Sequence, residues 1–146
     1  MTVCILGKGL SSLTLAAALV KEKIYVDLVL PKKSQNLNKS RTLGISKSNI
    51  EFFNKNIINI KKICWKLNEI DIFSENLRNE KLINFERNNE EIFSIIKNYQ
   101  LYKILKDKLM KSKYFKKIDF INNEKVFEKY NLVINTDYFH PITKKY

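Results

Sequence analysis

Apolar and polar positions divide the chain into short blocks. Residues 3–6 are apolar, rich in branched side chains and free of charge, as in a parallel strand buried on both faces. Gly7-Lys8-Gly9 breaks the run, and residues 10–20 resume it with alanines and leucines of strong helix propensity. Residues 24–30 read as a second buried strand. The opening stretch therefore predicts a β-α-β unit of ordinary length.

Further along, 31–39 is a polar loop leaving the carboxyl end of the second strand. Ser46 suits an N-cap, and Ile50, Phe53 and Ile57 share one face of the helix that would follow. Alternation at 65–73 and 81–85, around polar 76–80, predicts an antiparallel ribbon. Residues 86–91 read as a solvated, charge-rich loop. Phe93, Ile95 and Ile96 lead into a helix over 98–110, capped by Asn98 and with Leu101, Leu105 and Leu109 on one face. A short strand at 118–121, a polar connection at 122–131 and a buried strand at 132–134 complete the chain. The expected fold class is α/β: a Rossmann-like β-α-β unit in a parallel sheet, with a small antiparallel ribbon. One domain spans 1–146, with an antiparallel insertion at about 65–96.

The glycine turn is where chemistry enters. Gly7 permits a tight turn, and Gly9 lets a pyrophosphate approach the N–H groups of Leu10, Ser11 and Ser12 at the start of the helix. Ser12 holds the third position of the G-x-G-x-x-G pattern. At the end of the second strand, where an acid usually grips an adenosine ribose, the chain has Leu30-Pro31, and Asp27 lies three residues too early. Arg41 has the donor geometry to hold a phosphate or carbonyl oxygen, or it is a solvated loop residue. Asp137 sits at the carboxyl edge of the last strand, where it could accept bonds from a cofactor's hydroxyls or cap its own turn. His140, the only histidine, reads as a surface residue.

Composition narrows the partners. At 146 residues and 45% hydrophobic the chain can build one real core. A formal charge of +12 invites nucleic acid, but Arg41, Arg78 and Arg87 are the only arginines and the lysines are spread through every segment. That dispersal argues against a nucleic-acid partner and leaves weak attraction to an anionic membrane surface. No apolar run is long enough to span a bilayer, so a cytoplasmic chain without a signal peptide is expected. Cys4 and Cys64 lack disulfide or zinc spacing and read as reduced and structural, with no metal site.

Four segments, Gly7 to Ser12, Arg41-Thr42-Leu43-Gly44-Ile45-Ser46, Phe93 to Leu101 and Leu132 to Asp137, in that order resemble the flavin-dependent aromatic hydroxylases. The ubiquinone-biosynthesis branch is the most similar, and Trp65 before a hairpin strand recurs there. The resemblance implies an N-terminal FAD-binding part in which Gly7, Gly9, Leu10, Ser11 and Ser12 meet the FAD pyrophosphate. Arg41 would lie along the flavin, and Asp137 would take the family's Ala-Asp-Gly position, here Thr136-Asp137-Tyr138. It further implies NAD(P)H as reductant, an aromatic or quinone-precursor substrate, and a position in the cytoplasm or against the inner membrane face. Family chains are far longer, which implies a truncated form, inactive alone or completed by a second polypeptide or a homo-oligomer. The chemistry would belong to the cofactor, and no residue stands out as catalytic. Two alternatives stay open: a degenerate, non-enzymatic binding or assembly subunit, and an NAD(P)-binding Rossmann protein, with Lys32 and Lys33 suited to a phosphorylated ribose.

Overall fold

The structure is a computed structural model and describes residues 1–31, 38–75, 80–86, 91–120 and 124–144. Its centre is a parallel sheet built from β1 (Thr2–Leu6), β2 (Tyr25–Val29), β8 (Phe115–Ile118) and β9 (Leu132–Asn135), in the order β8-β2-β1-β9. β1 lies between β2 and β9, and Val3, Cys4, Ile5 and Leu6 are wholly buried. An uncharged run of branched residues is what a strand covered on both faces requires.

Alternation along β1 separates two apolar clusters. Val3 and Ile5 meet α1 (Leu10–Lys21) and α3 (Asn98–Met110). Leu13, Ala16, Ala17 and Val20 of α1 and Leu101, Leu105 and Leu109 of α3 supply the facing stripes. The opposite face carries Cys4, Leu6 and Val29 under Phe127 and Tyr130. Residues 122–131, expected as a plain polar connection, thus hold a 3-10 turn at Glu124–Lys129 that covers a sheet face. Residues 121–123 lie outside the described residues. The strand expected at 118–121 is found earlier, at Phe115–Ile118, paired in parallel with β2.

Asp27 belongs to this second face. The Tyr130 hydroxyl donates to its Oδ2 at 2.7 Å, so the carboxylate serves the core and not a ribose. Burial first, then the neighbouring Asp27, pushes the Cys4 thiol from 9.0 up to about 11, against a smaller opposing effect of Lys129. Burial, then the bond to Asp27, likewise raises the Tyr130 phenol well above its ordinary value. Both groups keep their protons in the native state at a pH where the unfolded chain has lost them. Their contribution is therefore complete below pH 9 and declines as the pH rises through the folded values. Unfolding free energy should fall by about 1–2 kcal/mol between pH 8 and pH 10, since a tenfold change in proton affinity corresponds to roughly 1.4 kcal/mol. Urea denaturation checks this, and a smaller fall in Cys4→Ala would assign the thiol its part. Tyr130→Phe should cost about 1–2 kcal/mol at pH 7 by removing a hydrogen bond to a charged group; an unchanged urea midpoint would contradict the pairing.

A second sheet joins β3 (Thr42–Ser46), β4 (Cys64–Leu67) and β7 (Phe93–Lys97) in the antiparallel order β3-β7-β4. Residues 42–46 are thus a strand, which local pattern alone does not assign. Gly44 permits it, because a Cβ there would lie 2.3 Å from ring carbons of Phe93. Ser46 does cap α2 (Lys47–Phe52), accepting from the Asn49 amide at 3.3 Å, and a π turn follows at Phe53–Ile57. Lys21 donates to the carbonyl of Lys55 and Lys108 to that of Ile57, so both helices of the core are tied to that turn. Burial, and secondarily Lys21, lowers the Lys108 pKa.

The antiparallel ribbon is β5 (Glu69–Phe73) with β6 (Lys81–Glu86). Residues 65–67, expected as its beginning, belong to β4 and pair with β7 instead. Ile70, Ile72, Ile83 and Phe85 share one ribbon face by register. On the other, Asp71 accepts from Asn84 at 2.7 Å and pairs with Lys81 at 2.7 Å. The hydrogen bond from Lys81 is the main cause holding the Asp71 carboxyl below its usual range. Residues 76–79 of the expected turn lie outside the described residues.

Three expectations are corrected by packing. Asn98 does not cap α3: Lys97 is the N-cap residue, the Asn98 amide donates to the Arg41 carbonyl at 2.9 Å, and its Oδ1 is buried without a partner among the described residues. Glu91 is no solvated loop residue, since Ser94 donates to it at 2.6 Å and Lys66 pairs with it at 3.1 Å; residues 87–90 of that loop lie outside the described residues. His140 is buried, 6% exposed, against Phe120 and Phe127, because the chain after β9 folds back on the sheet.

Candidate nucleotide crevice

β1 runs straight into the glycine turn at its carboxyl end. Gly7 has φ +129°, a conformation that side-chain-bearing residues rarely adopt, and its amide donates to the Val29 carbonyl at 3.0 Å. A Cβ there would stand 2.4 Å from Thr136 Oγ1 and 2.9 Å from Ser12 Oγ. Those two hydroxyls lie 2.6 Å apart, and Thr136 also approaches the Leu6 carbonyl at 2.8 Å. The Thr136 proton goes to that carbonyl, so Ser12 is the donor between the pair. Serine at the third glycine position therefore ties the helix start to the end of β9. Its hydroxyl is spent there and 1% exposed, leaving only its amide for a ligand.

Gly9 is the N-cap residue of α1, with φ −74° and ψ 178°, and it offers no side-chain cap. The first bond of the helix runs from the Leu13 amide to the Gly9 carbonyl at 3.1 Å. The amides of Leu10, Ser11 and Ser12 lie ahead of it and have no intrahelical acceptor. A Cβ on Gly9 would meet nothing within 4 Å. The two glycines thus differ in kind: Gly7 is packed by the protein's own atoms, whereas Gly9 faces open space beside uncapped amides. The positive end of a helix dipole adds to the attraction for an anion there.

Asp137 lies two residues beyond Asn135, the β9 residue paired with Leu6 at the end of β1. Its Oδ1 accepts from the Phe139 amide at 3.1 Å, its amide donates to Asn135 Oδ1 at 3.0 Å, and its carbonyl accepts from the His140 amide at 3.0 Å. The carboxylate caps its own turn, one of the two roles the sequence left open. Tyr138 and Phe139 are 80% and 76% exposed, so neither ring fills the space beside the turn from within the core. Arg41 is exposed and precedes β3, not the helix directly; its carbonyl anchors the start of α3. The structure thus gathers Gly7, Gly9, Leu10, Ser11, Ser12 and Asp137 at the carboxyl edge of neighbouring strands and sets Arg41 at the edge of the second sheet. Thr136, not among the residues expected from the sequence, is the one that locks the turn. Its only sequence signal was its place just past the apolar run 132–134. That run was expected as a buried strand but forms the sheet-edge strand β9, with Leu132 46% exposed, because among the described residues β9 pairs with β1 on one side only.

At the end of β2, Leu30 donates its amide to Ile118 of β8 at 3.0 Å, and Leu30 itself stands where an acid was expected. Among the described residues, no helix is long and apolar enough to cross a membrane.

The arrangement is that of an α/β nucleotide-binding fold: a central parallel strand, a glycine turn and an uncapped helix at the strand-order switch between β2 and β9. Solved flavin-dependent monooxygenases share it. A probable FAD-dependent monooxygenase, PqsL, from Pseudomonas aeruginosa superposes with TM-score 0.64 at 14% identity, over 82% of this chain and 32% of that one. The p-nitrophenol 4-monooxygenase PnpA from Pseudomonas putida DLL-E4 gives 0.65 at 12% identity, over 81% and 32%. The 2,6-dihydroxypyridine-3-hydroxylase from Arthrobacter nicotinovorans gives 0.58 at 12%, over 80% and 28%. The chain therefore spans about a third of the length of the structures whose fold it shares. No protein-family profile and no curated protein sequence matches it.

Proposed function

We propose that this chain is the FAD-binding portion of a monooxygenase-like flavoprotein. The observation that carries the reading is the open side of Gly9 beside the uncapped amides of α1, at the carboxyl end of the central strand. An FAD diphosphate fits that feature: it supplies the anion the amides lack and the close approach that only glycine allows. Leu10, Ser11 and Ser12 would hold it through backbone N–H groups, Gly7 would shape the turn, and Arg41 and Asp137 would serve the flavin side and the cofactor's hydroxyls. Bound FAD supplies the redox chemistry that puts oxygen on an electron-rich aromatic ring with NAD(P)H as reductant; the chain's own part is placement and exclusion of water.

The finer assignment, to hydroxylation of a ubiquinone precursor, rests on the order of the Gly7, Arg41, Phe93 and Leu132 segments. A small aromatic or quinone-like substrate and a completing polypeptide follow from the same reading. So does weak association with the inner membrane face, which a charge of +12 favours. Purified chain should take up FAD in the micromolar range, measured by flavin absorbance and titration. It should show no NAD(P)H-driven hydroxylation of phenols by itself, and detecting that activity would refute the incomplete-site part of the proposal.

One specific observation favours a second reading, a non-enzymatic binding or assembly subunit. The acid that would hold the ribose is replaced by Leu30, and Asp27 is committed to Tyr130. A colourless chain that binds no FAD at 100-fold excess would select this reading.

A further inference from the structure

The β5–β6 ribbon stands apart from both larger sheets: its strands pair with each other and, among the described residues, with no third strand. A lone two-stranded ribbon is marginal in water, so an apolar face on one calls for a cover. On the face shared with Ile70, the side chains of Ile72, Ile83 and Phe85 are 42%, 47% and 48% exposed. The described part of the chain leaves that face open.

Charge says what would cover it. Residues 69–91 carry seven acidic side chains against three basic ones, whereas the rest of the chain carries eight against twenty-four. Lys81 serves both Asp71 at 2.7 Å and Glu69 at 3.7 Å, and exposed Glu75, Glu80 and Glu86 add to the acidic surplus. Two such ribbons repel, which argues against ribbon stacked on ribbon. The most basic stretch lies on α3 and β8, where residues 103–117 hold seven lysines against Asp107 alone. Lys103, Lys106, Lys111, Lys113, Lys116 and Lys117 are exposed there. β8 is an end strand of the parallel sheet, with β2 on one side and no neighbour on the other among the described residues. Lysines at such an edge turn away a second β8 and attract an acidic strand. Met110, exposed at the end of α3, supplies apolar surface beside it.

We infer that this chain pairs with a second copy of itself, the acidic ribbon of each copy lying along the lysine-rich β8 edge of the other. Opposite charge orients the two copies, and the Ile72–Ile83–Phe85 face sheds its water. A single ribbon is small beside the roughly 800 Å2 per partner of a specific interface; exchange in both directions doubles the contact and closes a two-fold pair. The inference goes beyond the flavin reading and does not rest on it, since neither surface includes Gly9 or Asp137.

Sedimentation equilibrium of the full chain without FAD, over a range of concentrations, tests this. It is run in about 0.1 M and about 1 M sodium chloride, between which the Debye length falls from roughly 10 Å to roughly 3 Å. A monomer–dimer equilibrium is expected, weakened about tenfold or more by the higher salt. Glu69→Lys with Glu86→Lys, and separately Lys116→Glu with Lys117→Glu, should each weaken it by a similar factor. The four changes in one chain, or the two variants mixed, should restore it. Phe85→Thr keeps a strand-favouring residue and should weaken the dimer in both salts. Circular dichroism and urea midpoints of these exposed-site variants should stay near those of the parent. A monomer at every concentration, a dimer indifferent to both charge reversals, one that the combined reversal fails to restore, or open-ended larger species overturns the inference. FAD titrated into the same samples keeps the two proposals apart: a dimer that takes no FAD loses only the flavin reading, and a monomer that takes FAD loses only this one.

Discussion

Gly9→Val is expected to leave the chain folded and to weaken FAD binding by more than a hundredfold. The free protein has room for the new side chain, because nothing lies within 4 Å of a Cβ at this position. The backbone there, φ −74° and ψ 178°, is extended and suits a β-branched residue. Valine is a poorer N-cap than glycine, which should cost at most about 1 kcal/mol. A diphosphate, by contrast, would be held off the amides of Leu10 and Ser11. Two charge-assisted hydrogen bonds at about 1.5–3 kcal/mol each make a loss of roughly 3–6 kcal/mol, against about 1.4 kcal/mol per tenfold in affinity. The measurement is a pair of FAD titrations with a urea curve on each protein. Undiminished binding by a folded variant would show that the turn is not the diphosphate site.

Gly7→Ala should do the opposite, with its large effect on stability. Its φ of +129° belongs to a region that costs a non-glycine residue about 1–3 kcal/mol. The added methyl would also press on Thr136 Oγ1 at 2.4 Å and Ser12 Oγ at 2.9 Å. Overpacking adds about 1–3 kcal/mol, so a total of roughly 2–6 kcal/mol is expected. That is a large share of the roughly 5–15 kcal/mol typical of a domain, and the urea midpoint should fall accordingly. Repeating the substitution in a Thr136→Ala background removes the worse of the two contacts and should recover about 1–2 kcal/mol, the packing part alone. A loss below about 1 kcal/mol in the parent background would contradict the packed turn.

The contrast between the two glycines was only half legible in the sequence. Both were readable as turn residues, but that one is packed by the protein and the other faces open space depends on Thr136, more than a hundred residues away along the chain. Elements specified by local pattern were readable: the uncharged run of β1, the alanine-rich α1, the Leu101-Leu105-Leu109 stripe and the Ser46 cap all rest on neighbouring residues. What escaped was set by pairing across long distances. β3 was missed because Thr42–Ser46 contains a glycine and shows little alternation, and only the Phe93 ring over Gly44 explains it. Residues 65–67 looked continuous with the ribbon, and with Cys64 they joined β7, where Ile95 and Ile96 lie opposite Trp65 and Cys64. His140 looked like a surface residue beside Pro141, and the fold-back after β9 buries it between two phenylalanines. Asp27 carried a mixed signal, an acid in the wrong place for a ribose, which the Tyr130 hydroxyl resolves.

The central claim is that the amides of α1 meet the FAD diphosphate. An amide-resolved nuclear magnetic resonance titration of the isotope-labelled chain with FAD addresses it directly. The account predicts that the largest and saturable shifts fall on Gly9, Leu10, Ser11 and Ser12, with smaller ones at Thr136 to Tyr138, and that Gly9→Val abolishes them. Saturable FAD binding that leaves those amides unmoved, or no binding at all, would contradict it.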